Sequence, residues 1–230
     1  MKRWIGSACL LMLLLLLAVP APAEEDDPLS RQDTHWKESP IWGTWGLNVG
    51  MMFYSDEDYQ KVYGDKGIAF YNMNAGLKLI QQLELVGSLG YGFSEGSGVS
   101  PLDDSKTAEK YKLHIAPGGL GLAYRFNFVL DQPVVPYVGG SGLLSYWFEE
   151  KLDSSWKRRS YNYGAMGFGG LMILLDNLEK RASGALESEW GINNTYLIYE
   201  YRYTSLNNFG KKDIVDLSSQ FHSLGLLFEF

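Results

Sequence analysis

From residue 41 to the C-terminus, hydrophobic and polar residues alternate with a period of two, which is the pattern of half-buried β-strands. The alternation is clearest in the segment 71–79, where Tyr, Met, Ala and Leu alternate with Asn, Gly and Lys. Similar segments are 45–53, 83–94, 111–128, 134–148, 160–174, 196–203 and 223–230. The segments nearest the N-terminus have about nine residues or more, the length that a tilted strand needs to cross a bilayer. The pattern therefore predicts about eight membrane-spanning strands.

One predicted strand departs from regular alternation. The segment 111–128 changes phase between Ile115 and Leu120, and Pro117-Gly118-Gly119 between them predicts a β-bulge. With this phase, Lys112 and His114 are expected on the inner face of the sheet.

The connections between these strands alternate in length. Long polar connections at 55–67, 95–108, 149–159 and 204–216 alternate with short ones at 81–82 and 129–133 and a moderate one after Leu174. This arrangement is typical of outer-membrane barrels, whose short turns face the periplasm. The sequence thus predicts an all-β, antiparallel, up-and-down transmembrane barrel with both termini in the periplasm.

The moderate connection is predicted to contain a short periplasmic helix between Asp176 and Glu189. Asp176 followed three residues later by Glu179 resembles a capping box. Leu178, Ala182 and Leu186 would share one helical stripe. Such a helix lies against the rim of the barrel or docks a partner.

Residues 1–23 have the pattern of a secretory signal peptide. Lys2 and Arg3 precede an apolar stretch at 5–19, and Ala21-Pro22-Ala23 forms a small-residue cleavage site before Glu24. The alternative, a membrane anchor helix, would need a longer apolar run. Residues 24–40 are polar and acidic and are predicted to form a periplasmic linker, which leaves 41–230 for the barrel.

Composition narrows the possible chemistry. Cys9 is the only cysteine and lies within the predicted signal peptide, so the mature chain is expected to lack disulfides and cysteine metal sites. The chain has 20 basic and 27 acidic residues, and loss of Lys2 and Arg3 leaves a net charge of −9, which argues against a nucleic-acid partner. No cofactor is implied.

Several ionisable residues are predicted on the inner face of the barrel. They are Lys78, Glu84, Lys112, Arg125, Glu200, Arg202 and Glu229. A charge buried alone costs several kcal/mol, so these groups must pair or remain hydrated. Because the interior of an eight-stranded barrel is just wide enough for side chains, we predict a plug of paired charges. The alternative is a narrow polar path or a gate.

The C-terminal segment 223–230 resembles the final-strand signal of outer-membrane barrels. Ser223, Gly225, Phe228 and the terminal aromatic Phe230 match that pattern. The region 42–230 therefore resembles the small OmpA-, OmpX- and OmpW-like barrels of bacteria, and 190–203 is similar to barrels that carry no assigned activity. The resemblance implies location in the outer membrane. It also implies recognition by the barrel-assembly machinery and periplasmic chaperones.

Three classes of function follow, in order of preference. The first is a structural or surface-interaction barrel without a wide pore, whose long loops meet an extracellular ligand. The second is a narrow channel for small solutes or amphiphiles. The third is a lipid-modifying outer-membrane enzyme, but no nucleophile, base and acid are visible together in the sequence. His222 and Ser223 are neighbours on one strand and should point to opposite faces. No catalytic, cofactor-binding or metal-binding residue is therefore assigned. The expected partners in the membrane are outer-membrane lipids.

Overall fold

The computed structural model describes residues 41–100, 105–129, 132–176, 186, 188–211 and 214–230. The predicted signal peptide (1–23), with Ala21, Ala23 and Glu24 at its cleavage site, and the predicted linker (24–40) lie outside these residues. Most of the predicted helix at 176–189 also lies outside them, although Leu186 and residues 188–190 are described and are helical.

The described chain forms a closed antiparallel barrel of eight strands in which each strand pairs with its neighbours in sequence and β1 pairs with β8. The strands are β1 (Gly43–Tyr54), β2 (Ile68–Lys78), β3 (Leu83–Val99), β4 (Lys106–Arg125), β5 (Val134–Lys151), β6 (Lys157–Leu174), β7 (Asn194–Ser205) and β8 (Ser219–Glu229). This topology confirms the fold that the alternating pattern predicts. Among the described residues, no helix is long and apolar enough to span a bilayer.

The barrel has two different ends. The terminal end holds Gly43 and Phe230, together with the turn between β2 and β3 and the connections after β4 and β6. The opposite end, called the hairpin end below, holds the remaining connections. The seam between the first and last strands closes at the terminal end, where the Phe230 amide donates to the carbonyl of Gly43 over 3.0 Å.

The outer face carries a broad apolar belt. Its large exposed side chains include Leu47, Val49, Met73, Leu77, Leu89, Leu120, Leu122, Val138, Leu144, Ile173, Leu197, Leu224 and Leu226. Aromatic rings border the belt towards each end, and Trp45 stacks on Phe228 at the terminal end. Near the other border, Tyr199 and Tyr201 of β7 both pack their rings against His222 on the outer face. On β4 the belt runs from His114 to Tyr124, matching the about 9–11 residues that a tilted strand needs to cross hydrocarbon.

The predicted bulge in β4 is not present. Gly118 pairs with Leu89 of β3, and Pro117 pairs with Ser145 of β5, in registers that continue unchanged on both sides. The register shift between β3 and β4 lies between Ser97 and Val99 instead. Without a bulge the phase of β4 is constant, so Leu113 and Ile115 are buried inside, each 2 % exposed.

Four strands extend beyond the belt at the hairpin end. β3 to β6 contain 17, 20, 18 and 18 residues, well beyond the about 9–11 that a crossing requires. Much of the polar sequence predicted as loops at 95–108 and 149–159 is therefore strand. A helix not predicted from the sequence, α1 (Glu57–Tyr63), follows β1.

Candidate functional site

At the terminal end, buried charges from the inner face form one connected group, called the terminal-end network. Glu229 Oε1 lies 2.9 Å from Lys78 Nζ and 2.5 Å from Arg125 Nη1. Arg125 also pairs with Glu84, which accepts a hydrogen bond from Thr44. The four charged side chains are at most 8 % exposed. Two cations and two anions thus neutralise one another across the lumen.

A second polar group lies further along the lumen. Glu200 pairs with Arg202 on the same strand and accepts a hydrogen bond from the Tyr137 hydroxyl over 2.8 Å. Arg202 Nη2 donates to Asn74 Oδ1 over 3.1 Å, which joins β7 to β2 across the barrel. The guanidinium carbon also lies 5.6 Å from the centre of the Phe221 ring. Arg202 therefore marks the boundary between the polar and apolar parts of the lumen.

Lys112 is the exception among the predicted inner charges, because the structure places it on the outer face. Its ammonium lies 3.1 Å from Glu95, above the apolar belt. His114 also faces outward, where its Nδ1 lies 2.7 Å from the Tyr91 hydroxyl and its ring stacks on Phe148. The prediction was wrong because the hairpin end of the lumen is apolar, so the hydrophobic residues of this part of β4 point inward and the polar ones meet water.

The lumen at the hairpin end is filled by an apolar cluster, called the hairpin-end plug. It consists of Met52, Tyr54, Tyr59, Phe70, Leu113, Ile115, Leu143, Trp147, Met166, Leu206, Leu217 and Phe221. Seven of the eight strands contain a residue of this plug or lie next to one in sequence. Tyr59 comes from α1. Its ring lies 3.8 Å from that of Tyr54, and its hydroxyl bonds to Ser94. The helix therefore reaches into the barrel and completes the plug.

Local sequence explains why α1 forms at this point. Asp56 caps the helix by accepting a hydrogen bond from the Tyr59 amide over 2.8 Å. Gly64 ends it with a φ of +89°, a conformation that glycine adopts without strain. The side-chain amide of Gln60 also donates a hydrogen bond to the backbone carbonyl of Tyr54 over 2.8 Å, which links the helix to the end of β1.

The side chain of Tyr63 anchors the far end of α1 to the extended sheet. Its hydroxyl donates a hydrogen bond to Glu149 of β5. Burial raises the pKa of the Tyr63 phenol well above its usual value, and the contact with Glu149 raises that pKa further. Burial also raises the pKa of Tyr59. Both phenols consequently remain neutral throughout the physiological pH range.

Little open volume remains between these groups. Two cavities of about 40 and about 30 Å³ are both lined by Ser88, Met166 and Arg202. Each can hold water but is too small for a sugar. The lumen is closed by the terminal-end network at one end and by the hairpin-end plug at the other.

Outside the belt, charged side chains of alternating sign cross the extended sheet. Glu95, Lys112, Glu150 and Lys157 are consecutive cross-strand neighbours on β3, β4, β5 and β6. Lys157 Nζ lies 3.2 Å from Glu150. Opposite charges directly across strands stabilise a sheet, so this row supports the four strands where the membrane no longer does.

No protein-family model matches the sequence, and no curated protein matches it. The solved structure of the outer membrane protein OprG from Pseudomonas aeruginosa is similar with a TM-score of 0.57 and 11% identity, covering 84% of this chain and 98% of that chain. The attachment invasion locus protein Ail of Yersinia pestis, solved with the heparin analogue sucrose octasulfate, has a TM-score of 0.51 and 11% identity, covering 84% and 100%. The chain has the fold of the small outer-membrane β-barrels.

This fold confirms the class that the sequence resembles. A closed barrel leaves no unpaired strand edge within a bilayer, and the apolar belt matches the surface that such barrels present to lipid. The chain therefore has the fold and the apolar outer surface of a bacterial outer-membrane barrel. In such barrels the short turns face the periplasm, so the expected orientation has the terminal end in the periplasm and the hairpin end outside the cell.

The remaining predicted residues lie on β8. Ser223 points into the barrel and its hydroxyl lies 3.4 Å from the carbonyl of Glu200, whereas His222 points outward and lies 3.0 Å from the Tyr199 hydroxyl. The two side chains therefore do not form a nucleophile–base pair. Gly225 lies beside Asn48 of β1, and Phe228 faces outward against Trp45.

Sequence reasoning missed α1 and the extended sheet. A signal for the helix was present, since Asp56 is followed by Glu57 and Asp58, and Lys61 and Gly64 come after them. The extended strands carried a weaker signal. Beyond the belt the outer face of the sheet meets water instead of lipid, so the apolar–polar alternation weakens although the strands continue.

Proposed function

We propose that the protein is a closed outer-membrane barrel that presents its extended four-stranded sheet, β3 to β6, to partners outside the cell. The observation that carries this proposal is the length of these strands beyond the belt. They are held by the ion-pair row and are anchored to the plug through Tyr63 and Glu149. A rigid surface of this kind orders side chains without further loss of conformational entropy on binding.

The closed lumen supports an interaction role over transport. A solute would have to displace Tyr59 and its neighbours at one end and separate Arg125 from two carboxylates at the other. Breaking a buried charge pair without replacement is strongly unfavourable. The expected partners are therefore lipids around the belt and an extracellular ligand on the sheet.

The charge of the sheet favours an anionic ligand. Lys157, Arg158 and Arg159 follow one another at the start of β6, and all three are exposed. The similar protein Ail was solved with a sulfated heparin analogue, which is a polyanion. The basic run offers the same type of complementarity here.

The proposal includes the route to the membrane. Export through a signal peptide cleaved after Ala23 would give a mature chain that begins at Glu24. The barrel-assembly machinery, served by periplasmic chaperones, would then recognise Ser223, Gly225, Phe228 and Phe230 in the final strand. The closing of the barrel seam by Phe230 supports a role for this residue in assembly.

Cysteine labelling tests which surface is presented. Ser154→Cys places a thiol at the exposed tip between β5 and β6, and Gln81→Cys places one in the opposite turn. A membrane-impermeant maleimide should label Ser154→Cys on intact cells and label Gln81→Cys only after the outer membrane is opened. Labelling of Gln81→Cys alone on intact cells would contradict the proposal.

A narrow channel for small amphiphiles is the second candidate. One observation favours it: the lumen between Arg202 and the hairpin end is lined by apolar side chains and contains a cavity of about 30 Å³. Such a path would require α1 to move with Tyr59. Single-chain current recordings distinguish this candidate from the closed barrel.

A further inference from the structure

The extended sheet has one edge that lacks a neighbouring strand. β6 pairs with β5 from Lys157 to Ile173, but its pairing with β7 begins only at Ala165. Within the described part of the chain, residues 157–161 therefore have a strand on one side only. All five are exposed, whereas Asn162 is buried.

The backbone direction of this edge follows from the residue just below it. The Tyr163 amide donates to Asn208 Oδ1 over 2.7 Å, and its carbonyl accepts from the Asn208 amide over 3.0 Å. Since backbone groups alternate along a strand, Lys157, Arg159 and Tyr161 direct their N–H and C=O groups to the same open side. No backbone partner occupies these groups in the described chain.

On the β3 side of the extended sheet, a helix of the same chain contacts the strand. α1 packs on β3, and Gly96 lies so close to Val62 and Tyr63 of the helix that a Cβ atom would clash there. The helix therefore shields the inner face of β3 at this point. Uncovered strand edges are templates for pairing, and proteins that do not use them commonly cover or shorten them.

The side chains along the open edge define the kind of strand that fits. Lys157 and Arg159 lie on the outer face of the sheet, two residues apart, and Tyr161 follows them towards the membrane. Lys157 already contacts Glu150, but Arg159 has no carboxylate partner among the described residues. A second copy of this chain would place like charges opposite one another, which is destabilising.

We propose that residues 157–161 of β6 bind an extended acidic segment of another protein, which adds to the sheet as an antiparallel strand. This inference rests on the proposed surface-interaction function and names its partner. Backbone hydrogen bonds to Lys157, Arg159 and Tyr161 hold the segment, and acidic side chains at alternate positions face Lys157 and Arg159. In such β-augmentation the main chain supplies affinity and the alternate side chains supply specificity.

A capped peptide of alternating Glu and Val, labelled with a fluorophore, tests the geometry on the folded protein in nanodiscs. In the proposed pairing the Glu residues share a face with Arg159, so their amides point at β6 and the Val amides point away. N-methylation of the Glu amides should therefore weaken binding at least tenfold, whereas N-methylation of the Val amides should change it by less than about twofold. Anisotropy gives the affinities.

Variants of β6 supply the matched control. Arg159→Ala removes the charge, and Arg159→Pro removes the charge and the open N–H, at an edge position where proline is tolerated. Arg159→Pro should bind the peptide at least fivefold more weakly than Arg159→Ala, with both variants showing the heat-modifiable gel shift of a folded barrel. Arg158→Pro is unsuitable because its amide points to β5.

Each other outcome overturns the inference in a distinct way. Equal binding of both methylated peptides, matched by heparin, would mean a polyanion surface without strand addition. A dimer that is lost in Arg159→Pro would make a second copy the occupant. Absence of peptide binding while Ser154→Cys is labelled on intact cells would refute the acidic strand and leave the proposed function standing, whereas failure of that labelling would refute the proposed function itself.

Discussion

Arg125 on β4 and Glu229 on β8 form an ion pair across the lumen, with Nη1 of Arg125 2.5 Å from Oε1 of Glu229. The same guanidinium contacts Glu84, and the same carboxylate contacts Lys78. Because β8 closes the barrel against β1, this pair ties the last strand to the middle of the chain. The network thus serves both to close the lumen and to hold the barrel shut.

Removing Arg125 should be strongly destabilising. Arg125→Ala leaves Glu84 and Glu229 buried with less compensating charge, and we expect the free energy of unfolding to fall by about 3–5 kcal/mol. Urea titration of the folded barrel, followed by tryptophan fluorescence, measures it. Arg159→Ala, on the exposed sheet, should change stability by about 0.5 kcal/mol or less. Equal losses in the two variants would contradict a buried network.

The position of the lipid belt predicts opposite effects for two leucines. Leu89 is 62 % exposed in the middle of the belt, whereas Leu152 is 52 % exposed beyond the extended strands. Leu89→Arg should cost about 2–4 kcal/mol of folding free energy in a bilayer. Leu152→Arg should cost almost nothing, because water already surrounds it. Unfolding in lipid vesicles compares them, and a similar cost for both would place the membrane boundary elsewhere.

The plug at the hairpin end should depend on the ring of Tyr59. Tyr59→Ala removes a ring packed between Tyr54 and Tyr63, so we expect brief openings in planar-bilayer recordings. Tyr59→Phe keeps the ring and should remain closed. If the two variants behave alike, the ring is not what closes this end.

The two closures act in series, so the openings in Tyr59→Ala should remain small while the terminal-end network is intact. Arg125→Ala combined with Arg202→Ala removes bulk and charge from the rest of the lumen. Adding Tyr59→Ala to this pair should increase the leak by more than the separate increases combined. Simple additivity would indicate separate paths.

The final residue is expected to matter for assembly. Phe230 joins the seam through Gly43 and through a 2.7 Å hydrogen bond from the Trp42 amide to its carbonyl. Deletion of Phe230 should reduce the fraction of heat-modifiable folded barrel more than it reduces export, measured by processing of the signal peptide. Phe230→Tyr keeps an aromatic end and should assemble normally. Equal folding yield after the deletion would count against the assembly signal.

The lipid-facing part of the fold could be predicted from the sequence because the two faces of each strand lie in different environments, lipid outside and the packed lumen inside. Leu77 faces lipid and Asn74 faces the packed lumen, so the alternation of β2 records both environments. The pairing of the buried charges could also be predicted, because acidic and basic residues of similar number share the inner face. The residues that pair with one another or with their neighbours are Lys78, Glu84, Arg125, Glu200, Arg202 and Glu229.

The hairpin end could not be predicted by the same reasoning. Its lumen is apolar and its exterior is wet, so the meaning of the pattern reverses between Tyr124 and Lys112 while the strand continues. That reversal led to a predicted bulge at Pro117 and to the wrong face for Lys112. The open edge of β6 depends on where β7 stops pairing, which is a property of the register and not of any local motif.

Current through single chains in a planar bilayer tests the central claim most directly, since that claim is a closed lumen beneath a presented sheet. The unaltered protein should show no steady conductance and no passage of sugars, because the network around Arg125 and the plug around Tyr59 close both ends. Large, steady, porin-like currents from the unaltered single chain would contradict the account and make the channel the leading function.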